Sequence, residues 1–396
     1  MNILYIHQYF KTPNEPGGTR SYWLSLELIK SGHNVTMLSA NNNIETLYKR
    51  TNIDGIDVIY VKVPYSNNMG LIRRLFSFLQ FMIVSCFFAL FQKKITMVIA
   101  TSTPLSVGFP ALILKIFKGI PYLFEVRDLW PEVPIQMGAI KNKFIQKGAI
   151  LFERIIYKYA KHIVALSPGM AEGILKYVPL SKVIMIPNMA KNDKFFPREN
   201  NTTIKQKLAL NEDTLKIIYF GALGRANAIE YIIEAASILM KKNVKDIEFI
   251  FIGGGYQKEL IIQSSKTLNN IKYLGEFDME ITSEIVNICD ISIVTFNNIE
   301  ILKTNSPNKL FDSLSAGKPI IVNSSGWTKK LVEENNCGFY VDPIKPVELA
   351  EKLISLKDNK AILSTMGINA RKLAEQKYDK SILCKDFCTV VNTHFN

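Results

Sequence analysis

Two rhythms of apolar and polar positions alternate along this 396-residue chain. Short runs rich in β-branched and aromatic residues ("ILYIHQYF", "NVTMLSA", "DVIYVKV", "MVIATS", "YLFEVRD", "HIVALS", "VIMIPN") are separated by segments of helical period, the first near Ser21 to Ser31. Near-continuous apolar runs of this length predict strands buried on both faces, and their alternation with helices predicts a parallel sheet covered on both sides. The pattern lapses over "MAKNDKFFPREN", where charge and Asn replace apolar runs and mark a linker. It restarts with "LKIIYFGAL", a helix over Ala228 to Met240, "IEFIFIGGG", "IKYLGEF", "ISIVTF", "PIIVNS" and "GFYVDP". Two doubly wound α/β domains are expected, over 1–190 and 191–375, with a C-terminal helix over 376–396 packing back on the first. The chain is long enough for two cores.

The stretch "NSPNKLFDSLSAGKP", Asn305 to Pro319, needs a further explanation. Ser306 suits an N-cap, Pro307 the first helical position, and Gly317 followed by Pro319 a helix stop. Lys309 does not fit that reading, because a cation in the first turn opposes the positive end of the helix dipole. An amide-rich helix start with a lysine makes a phosphate cradle. Ligands of doubly wound sheets sit at the carboxyl ends of strands. Gly17 and Gly18, the Gly221 loop, the triplet Gly253 to Gly255 and the Lys309 helix all occupy such ends. None of the glycine spacings is the dinucleotide fingerprint, which ranks a nicotinamide-dependent dehydrogenase last.

Composition and charge narrow the setting. With 48% hydrophobic residues the chain is a folded one. Cysteines at 86, 289, 337, 384 and 388 lack metal-ligand spacing and point to a reducing, cytoplasmic setting without zinc; Cys384 and Cys388 are expected to share a helix face. "MNILYIHQYF" reads as a first strand, so export is not expected. The net charge of +13 sits in the first half: residues 1–190 hold 21 Lys and Arg against 10 Asp and Glu, and the remainder 27 against 25. Such asymmetry points to an anionic partner. From Leu75 to Phe91 run 17 residues whose only polar members are Ser77, Gln80 and Ser85, with two basic residues on each side. That length is the lower limit for a spanning helix and also fits a buried domain helix. Basic flanks and many phenylalanines favour a helix lying in an anionic bilayer interface, and strand-like neighbours favour peripheral attachment over a span. The expected partner is an anionic inner-membrane surface met through residues 71–94. Nucleic acid is not expected, since the motifs of its usual modules are missing.

Over nearly the whole chain, "PGGTRSYWLSLELIKSGHNVTML", "VALSPGMAEGI", "VIMIPNMAKNDKFFP", "IIYFGALGRANAIEYIIEAASIL", "FIGGGYQKEL", "IKYLGEF" and "SPNKLFDSLSAGKPIIV" follow an order with a precedent. The order resembles that of the retaining glycosyltransferases of the large family (family 4) that includes bacterial mannosyl- and N-acetylhexosaminyl-transferases. "EVRDLWPE" and "SPNKLFD" further resemble its fucosamine-type branch of surface polysaccharide assembly. The resemblance implies the GT-B fold, two Rossmann-like domains facing a central cleft. The second domain would hold the nucleotide-sugar donor, and the acceptor would approach the first. It implies a donor site of Gly17, Gly18, Gly221, Arg225, Gly254, Phe277, Ser306, Asn308, Lys309 and Asp312. Lys309 would neutralise phosphate and Asp312 would accept the ribose hydroxyls. No metal and no cofactor is expected: the nucleotide sugar is a substrate, and there is no Asp-x-Asp motif.

The chain also departs from the family pattern. Thr304 stands eight residues before Asp312, where the family has the first of two glutamates. Ala222 and Asn227 stand where Arg and Lys are frequent, with Arg225 as a substitute, and Arg127 replaces the frequent active-site His of the first domain. The catalytic candidates are Asp128, to orient or deprotonate the acceptor, Arg127 beside it, and Glu132 for sugar hydroxyls. The alternative reading of Arg127 and Asp128 is a structural ion pair. His7 and His33 read as packing or strand-end residues. Trp130 either stacks on a sugar or fixes a loop with Pro131. The expected activity moves a hexose or N-acetylated amino sugar from a UDP-sugar to a polyprenyl-diphosphate-linked saccharide in capsule or O-antigen synthesis. The expected place is the inner face of the plasma membrane. A catalytically inactive transferase-like membrane scaffold and a nucleotide-sugar epimerase on the same fold are the alternatives.

Overall fold

Runs of Val, Ile and aromatic residues form strands buried end to end, as at Met97–Thr101, Tyr122–Val126 and Ile247–Ile252, and these organise two parallel sheets. The computed structural model describes residues 1–15, 17–65, 69–199, 202–208 and 210–395, without the side chains of 71, 72 and 202. Pro16, in the segment "PGGT", and Asn200, at the end of the expected linker, lie outside the described residues. Contacts divide the chain into one unit of Met1–Thr12, Gly17–Pro187 and Ser381–Asn396 and another of Pro13–Pro16 and Asn188–Lys380.

The first unit's strands are β1 (Asn2–Ile6), β2 (Asn34–Ala40), β3 (Tyr48–Ile53), β4 (Ile56–Val61), β5 (Met97–Thr101), β6 (Tyr122–Val126), β7 (His162–Ala165) and β8 (Val183–Met185). Their order is β3-β4-β2-β1-β5-β6-β7-β8, parallel except for β3. Its helices are α1 (Arg20–Lys30), α2 (Leu71–Phe91), α3 (Gly108–Lys118), α4 (Glu132–Gln136), α5 (Lys143–Tyr159) and α6 (Pro168–Leu175). The apolar pattern does not predict β3, whose residues are mostly exposed. Its signal is the turn: Asp54 and Gly55 have φ of 51° and 90°, the two-residue hairpin turn that Asp-Gly favours.

The second unit's strands are β9 (Leu215–Phe220), β10 (Ile247–Ile252), β11 (Ile271–Gly275), β12 (Ile291–Val294), β13 (Ile320–Val322) and β14 (Gly338–Tyr340). They run parallel in the order β11-β10-β9-β12-β13-β14. Around them lie α7 (Thr202–Lys207), α8 (Ile229–Lys241), α9 (Lys258–Ser265), α10 (Met279–Ile288), α11 (Asn308–Ser315), α12 (Trp327–Glu334), α13 (Pro346–Lys357) and α14 (Lys360–Lys377). The final helix, α15 (Lys380–Phe395), returns to the first unit, with Cys384 and Cys388 on its buried face. The segment expected as a linker is built into the second unit instead. Phe195 is buried in its core, and Arg371 donates to the carbonyls of Phe195 (3.0 Å) and Ser315 (2.6 Å).

In each sheet the strand order reverses at one point, between β1 and β5 and between β9 and β12. Crevices open at the carboxyl ends of strands at such points. α2 forms as expected but inside out. Ser77, Phe81, Ser85 and Ala89, four apart, make its buried face, while Phe76, Leu79, Ile83, Phe87, Leu90 and Phe91 face solvent. Ser85 donates within the helix to Met82 O at 3.1 Å, and Ser77 donates to Arg73 O at 3.1 Å and to Pro64 O ahead of the helix. The stretch Arg73–Phe91 is long and apolar enough to cross a membrane by length and composition, and with only 22% of its apolar window buried it packs one face on the domain instead of lying wholly in the core.

Candidate functional site

In the second unit the loop after β9 and the start of α11 meet. Gly221 has a φ of 107°, and a Cβ there would stand 3.5 Å from Lys309 Cε. Pro307 holds the cap position of α11 in extended conformation, so the helix begins at Asn308 without a side-chain cap. Ser306 is therefore one residue too early to be the N-cap. Its hydroxyl is buried without a partner, and its carbonyl accepts from Asn188 Nδ2 at 2.5 Å. The helix stop is as expected, with Gly317 at a φ of 62° and the Lys318 amide bonded to Ser313 O at 3.1 Å. The amides of Asn308 and Lys309 precede the first bond of the helix, Leu310 N to Pro307 O at 3.1 Å. The Lys309 ammonium is buried, has no hydrogen-bond partner among the described residues and lies 3.6 Å from the centroid of the Tyr219 ring. Burial pushes it well below the ordinary lysine range. A desolvated cation at the positive end of a helix is costly in the free protein and is relieved by an anion.

Asp312, one turn on, is not an open carboxylate. Lys191 binds it at 2.9 Å, and both side chains are buried. Burial raises the Asp312 carboxyl and Lys191 opposes that rise. The expected ribose acceptor is thus already engaged by a lysine that reads in sequence as one more charge in a linker. The glycine triplet is a packing device. A Cβ on Gly253 would stand 1.9 Å from Gly221 O, one on Gly255 2.7 Å from Leu223 O, and one on Gly254 2.5 Å from the Glu276 carboxylate. The loops after β9 and β10 touch backbone to backbone, and Leu223 N bonds Gly254 O at 2.9 Å. Phe277 packs half-buried on the core beside Phe220 and Ile250. Arg225 is exposed, its guanidinium 3.9 Å from the centroid of the Tyr256 ring. Asn227 closes the loop by donating to Ala222 O at 2.9 Å. Thr304 Oγ1 bonds Ile301 O at 2.7 Å in the turn before α11.

In the first unit the ends of β1, β5 and β6 gather His7, Thr103, Arg127 and Asp128. Arg127 Nη1 lies 3.3 Å from His7 Nε2, and His7 Nδ1 lies 2.7 Å from Ser21 Oγ. A guanidinium only donates, so Nε2 accepts and Nδ1 carries the proton toward Ser21. Burial, then the Arg127 charge, hold the imidazole well below its usual range, so it stays neutral. Asp128 accepts from Thr103 Oγ1 at 2.8 Å, and burial raises its carboxyl against the opposing effects of that bond and of Arg127. Arg127 and Asp128 therefore have separate hydrogen-bond partners. Glu132 opens α4 and accepts from Gln136 at 2.7 Å. Gly17 has a φ of 134° in the loop that Gly18 carries into α1. Trp130 stands edge-on to Phe78 of α2, Phe78 lies against Tyr65, and Tyr65 against Tyr9. The same unit holds a buried pair that no sequence signal marks. Arg20 Nε donates to Glu125 at 2.8 Å, Nη2 to Ile186 O at 3.0 Å, and Thr101 Oγ1 to Glu125 at 2.5 Å. His33 bonds Asn392 at 2.8 Å, a structural contact.

Residues 17–189 match the family described as Glycosyl transferase 4-like domain, and residues 200–373 the family Glycosyl transferases group 1. A UDP-Gal:alpha-D-GlcNAc-diphosphoundecaprenol alpha-1,3-galactosyltransferase of Escherichia coli is 25% identical over 204 residues, 49% of this chain and 50% of that protein. The capsular polysaccharide biosynthesis glycosyltransferase CapM of Staphylococcus aureus is 22% identical over 345 residues, 84% of each chain. The sucrose-phosphate synthase of Thermosynechococcus elongatus superposes with a TM-score of 0.80 at 15% identity, over 99% of this chain and 98% of that one. Anabaena HepE in complex with UDP-glucose superposes with a TM-score of 0.72 at 16% identity, over 99% and 100%. Two Rossmann-like units of the GT-B kind and two adjoining family matches lead to one conclusion: the chain belongs to the glycosyltransferases of group 1 and takes its sugar from a nucleotide donor.

Proposed function

We propose that this protein is a retaining transferase that moves a hexose or N-acetylated amino sugar from a UDP-sugar to a polyprenyl-diphosphate-linked saccharide, in capsule or O-antigen assembly. It works on the inner face of the plasma membrane, to which α2 attaches. One observation carries the donor half: the Lys309 ammonium at the head of α11, buried against Gly221 with no hydrogen-bond partner among the described residues. A donor diphosphate placed there gains that cation and the amides of Asn308 and Lys309, and the same groups stabilise charge on the leaving phosphate. Arg225 reaches the diphosphate from the loop after β9, and no metal is needed. A solved relative in complex with UDP-glucose and a curated one named for UDP-Gal support the uridine nucleotide. Asp312 acts through its pair with Lys191, which holds the first turns of α11 in place.

On the acceptor side Asp128 orients or deprotonates the attacking hydroxyl, held by Thr103, with Arg127 fixed in place by His7. Burial raises its carboxyl above the ordinary range, which makes it a stronger base than an exposed aspartate. Glu132 takes sugar hydroxyls. Retention needs no protein nucleophile: the hydroxyl attacks on the face from which the phosphate leaves, and its one proton goes to Asp128 or, where Asp128 only orients the hydroxyl, to a leaving phosphate oxygen. The row of rings Trp130, Phe78, Tyr65 and Tyr9 joins the Asp128 loop to the apolar α2, which suits a lipid-linked acceptor. The curated relative named for a diphosphoundecaprenol acceptor agrees with that choice. The likeness of "EVRDLWPE" and "SPNKLFD" to fucosamine-type transferases supports an N-acetylated amino sugar as the group moved. The test supplies radiolabelled UDP-sugars, one at a time, with vesicles carrying polyprenyl-diphosphate-linked N-acetylglucosamine. Label is expected in the lipid fraction from one UDP-sugar, in an α-linkage that preserves the donor configuration. Label that stays in the nucleotide pool as a new epimer would overturn the acceptor reading.

A further inference from the structure

The first unit shows more unpartnered apolar surface than α2 alone. α3 packs beside α2, with Lys118 bonded to Leu90 O, and α5 packs beside α3, with the rings of Phe109 and Phe152 6.1 Å apart. On α3, Phe117 is 73% exposed and Ile116 56%; on α5, Phe144 is 85% exposed, Ile145 59% and Leu151 58%. Three neighbouring helices thus turn large apolar side chains to water, although each has a sheet or a helix behind it to bury them against. A globular domain does not leave such a patch without a partner.

The charge around the patch selects the partner. No Asp or Glu occurs from Val58 to Phe124, a stretch that includes Arg73, Arg74, Lys93, Lys94, Lys115 and Lys118. The one acid in α2, α3 and α5 is Glu153, which is buried, while Lys143 and Lys147 are exposed beside Phe144. A protein partner would be fixed by charges of both signs; three helices that carry exposed cations and no exposed carboxylate match an anionic headgroup layer into which aromatic side chains insert.

We infer that the outer faces of α2, α3 and α5 together, rather than α2 alone, form the docking surface for a bilayer containing anionic lipid. The helical layer then lies flat on the membrane, with Phe117 and Phe144 as the second and third points of insertion. This rests on the membrane attachment of the proposed function and extends it to two helices outside residues 71–94.

The test floats the full chain with vesicles of phosphatidylcholine, with and without phosphatidylglycerol, and compares the variant Phe117→Glu/Phe144→Glu with Ile83→Glu/Phe87→Glu. Both are expected to bind phosphatidylglycerol vesicles at least about tenfold more weakly than the unsubstituted chain, since each loses apolar insertion and gains repulsion. UDP affinity should stay unchanged, reporting an intact fold. Loss only in the α2 variant would overturn the inference and leave the α2 attachment standing; full binding by both would overturn the attachment as well. An environment-sensitive dye on Phe117→Cys, in a Cys86→Ala background, tests the same point without an acidic substitution. Its emission should shift to the blue with phosphatidylglycerol vesicles, and a dye at Ile83→Cys that shifts alone would overturn the inference. A stable dimer without lipid that Phe117→Glu/Phe144→Glu dissolves would also overturn it, in favour of a second copy.

Discussion

Lys309 combines a cost and a use in one side chain. Its folded pKa lies below the unfolded value, so the unfolded chain binds more protons between the lowered value and about 10.5. Its contribution to stability therefore rises with pH through that window, and the cost is largest below it. Lys309→Met removes the buried amine. The free protein is expected to melt about 2–4 °C higher, as a gain near 1 kcal/mol would give, while UDP binding weakens about tenfold to a hundredfold. Thermal melts with and without UDP check both signs. UDP binding should also raise the lowered Lys309 pKa, so inside that pH window calorimetric enthalpies should differ between buffers of different ionisation heat; equal enthalpies across the window would contradict this. Asp128 is raised by burial, so kcat/KM should fall on the acid side above the ordinary carboxylate range. Asp128→Asn should remove that limb and lower kcat about 10²–10⁴-fold. Lys309 was legible in the sequence because a cation in a first helical turn conflicts with the dipole. Lys191 was not, because its partner lies 121 positions away and a lysine among charges carries no signal.

At the scale of the element, the donor loops depend on contacts that a single substitution breaks. Lys191→Met leaves the Asp312 carboxylate buried and alone, which should cost about 3–5 kcal/mol in urea unfolding; adding Asp312→Leu should recover much of it, as the removal of both charges does. The Gly253→Ala methyl would meet Gly221 O at 1.9 Å, so the loops after β9 and β10 should part and UDP affinity should drop with little loss of secondary structure, seen by calorimetry beside circular dichroism. Strands were the best-read elements, since a parallel strand buried on both faces has to be an apolar run. β3 escaped that pattern because its side chains face water, and the Asp54-Gly55 turn was the signal left unused. The start of α11 was misread by one residue, because Ser306 and Pro307 both suit a helix start and only the extended backbone of Pro307 decides between them.

For the molecule as a whole, the restart of the strand pattern made two units legible, and the charge count made the cationic character of the first legible. The chain could not show which distant residues meet. Arg20 and Glu125, 105 positions apart, or His7 and Arg127, 120 apart, are joined only by the order of the strands. The central claim is that the head of α11 holds the diphosphate of a UDP-sugar. Its most direct test is calorimetric titration of the full chain with UDP, GDP and CMP, repeated on Lys309→Ala. The account predicts binding selective for UDP that weakens about tenfold to a hundredfold in the variant; UDP binding that Lys309→Ala leaves unchanged would contradict it.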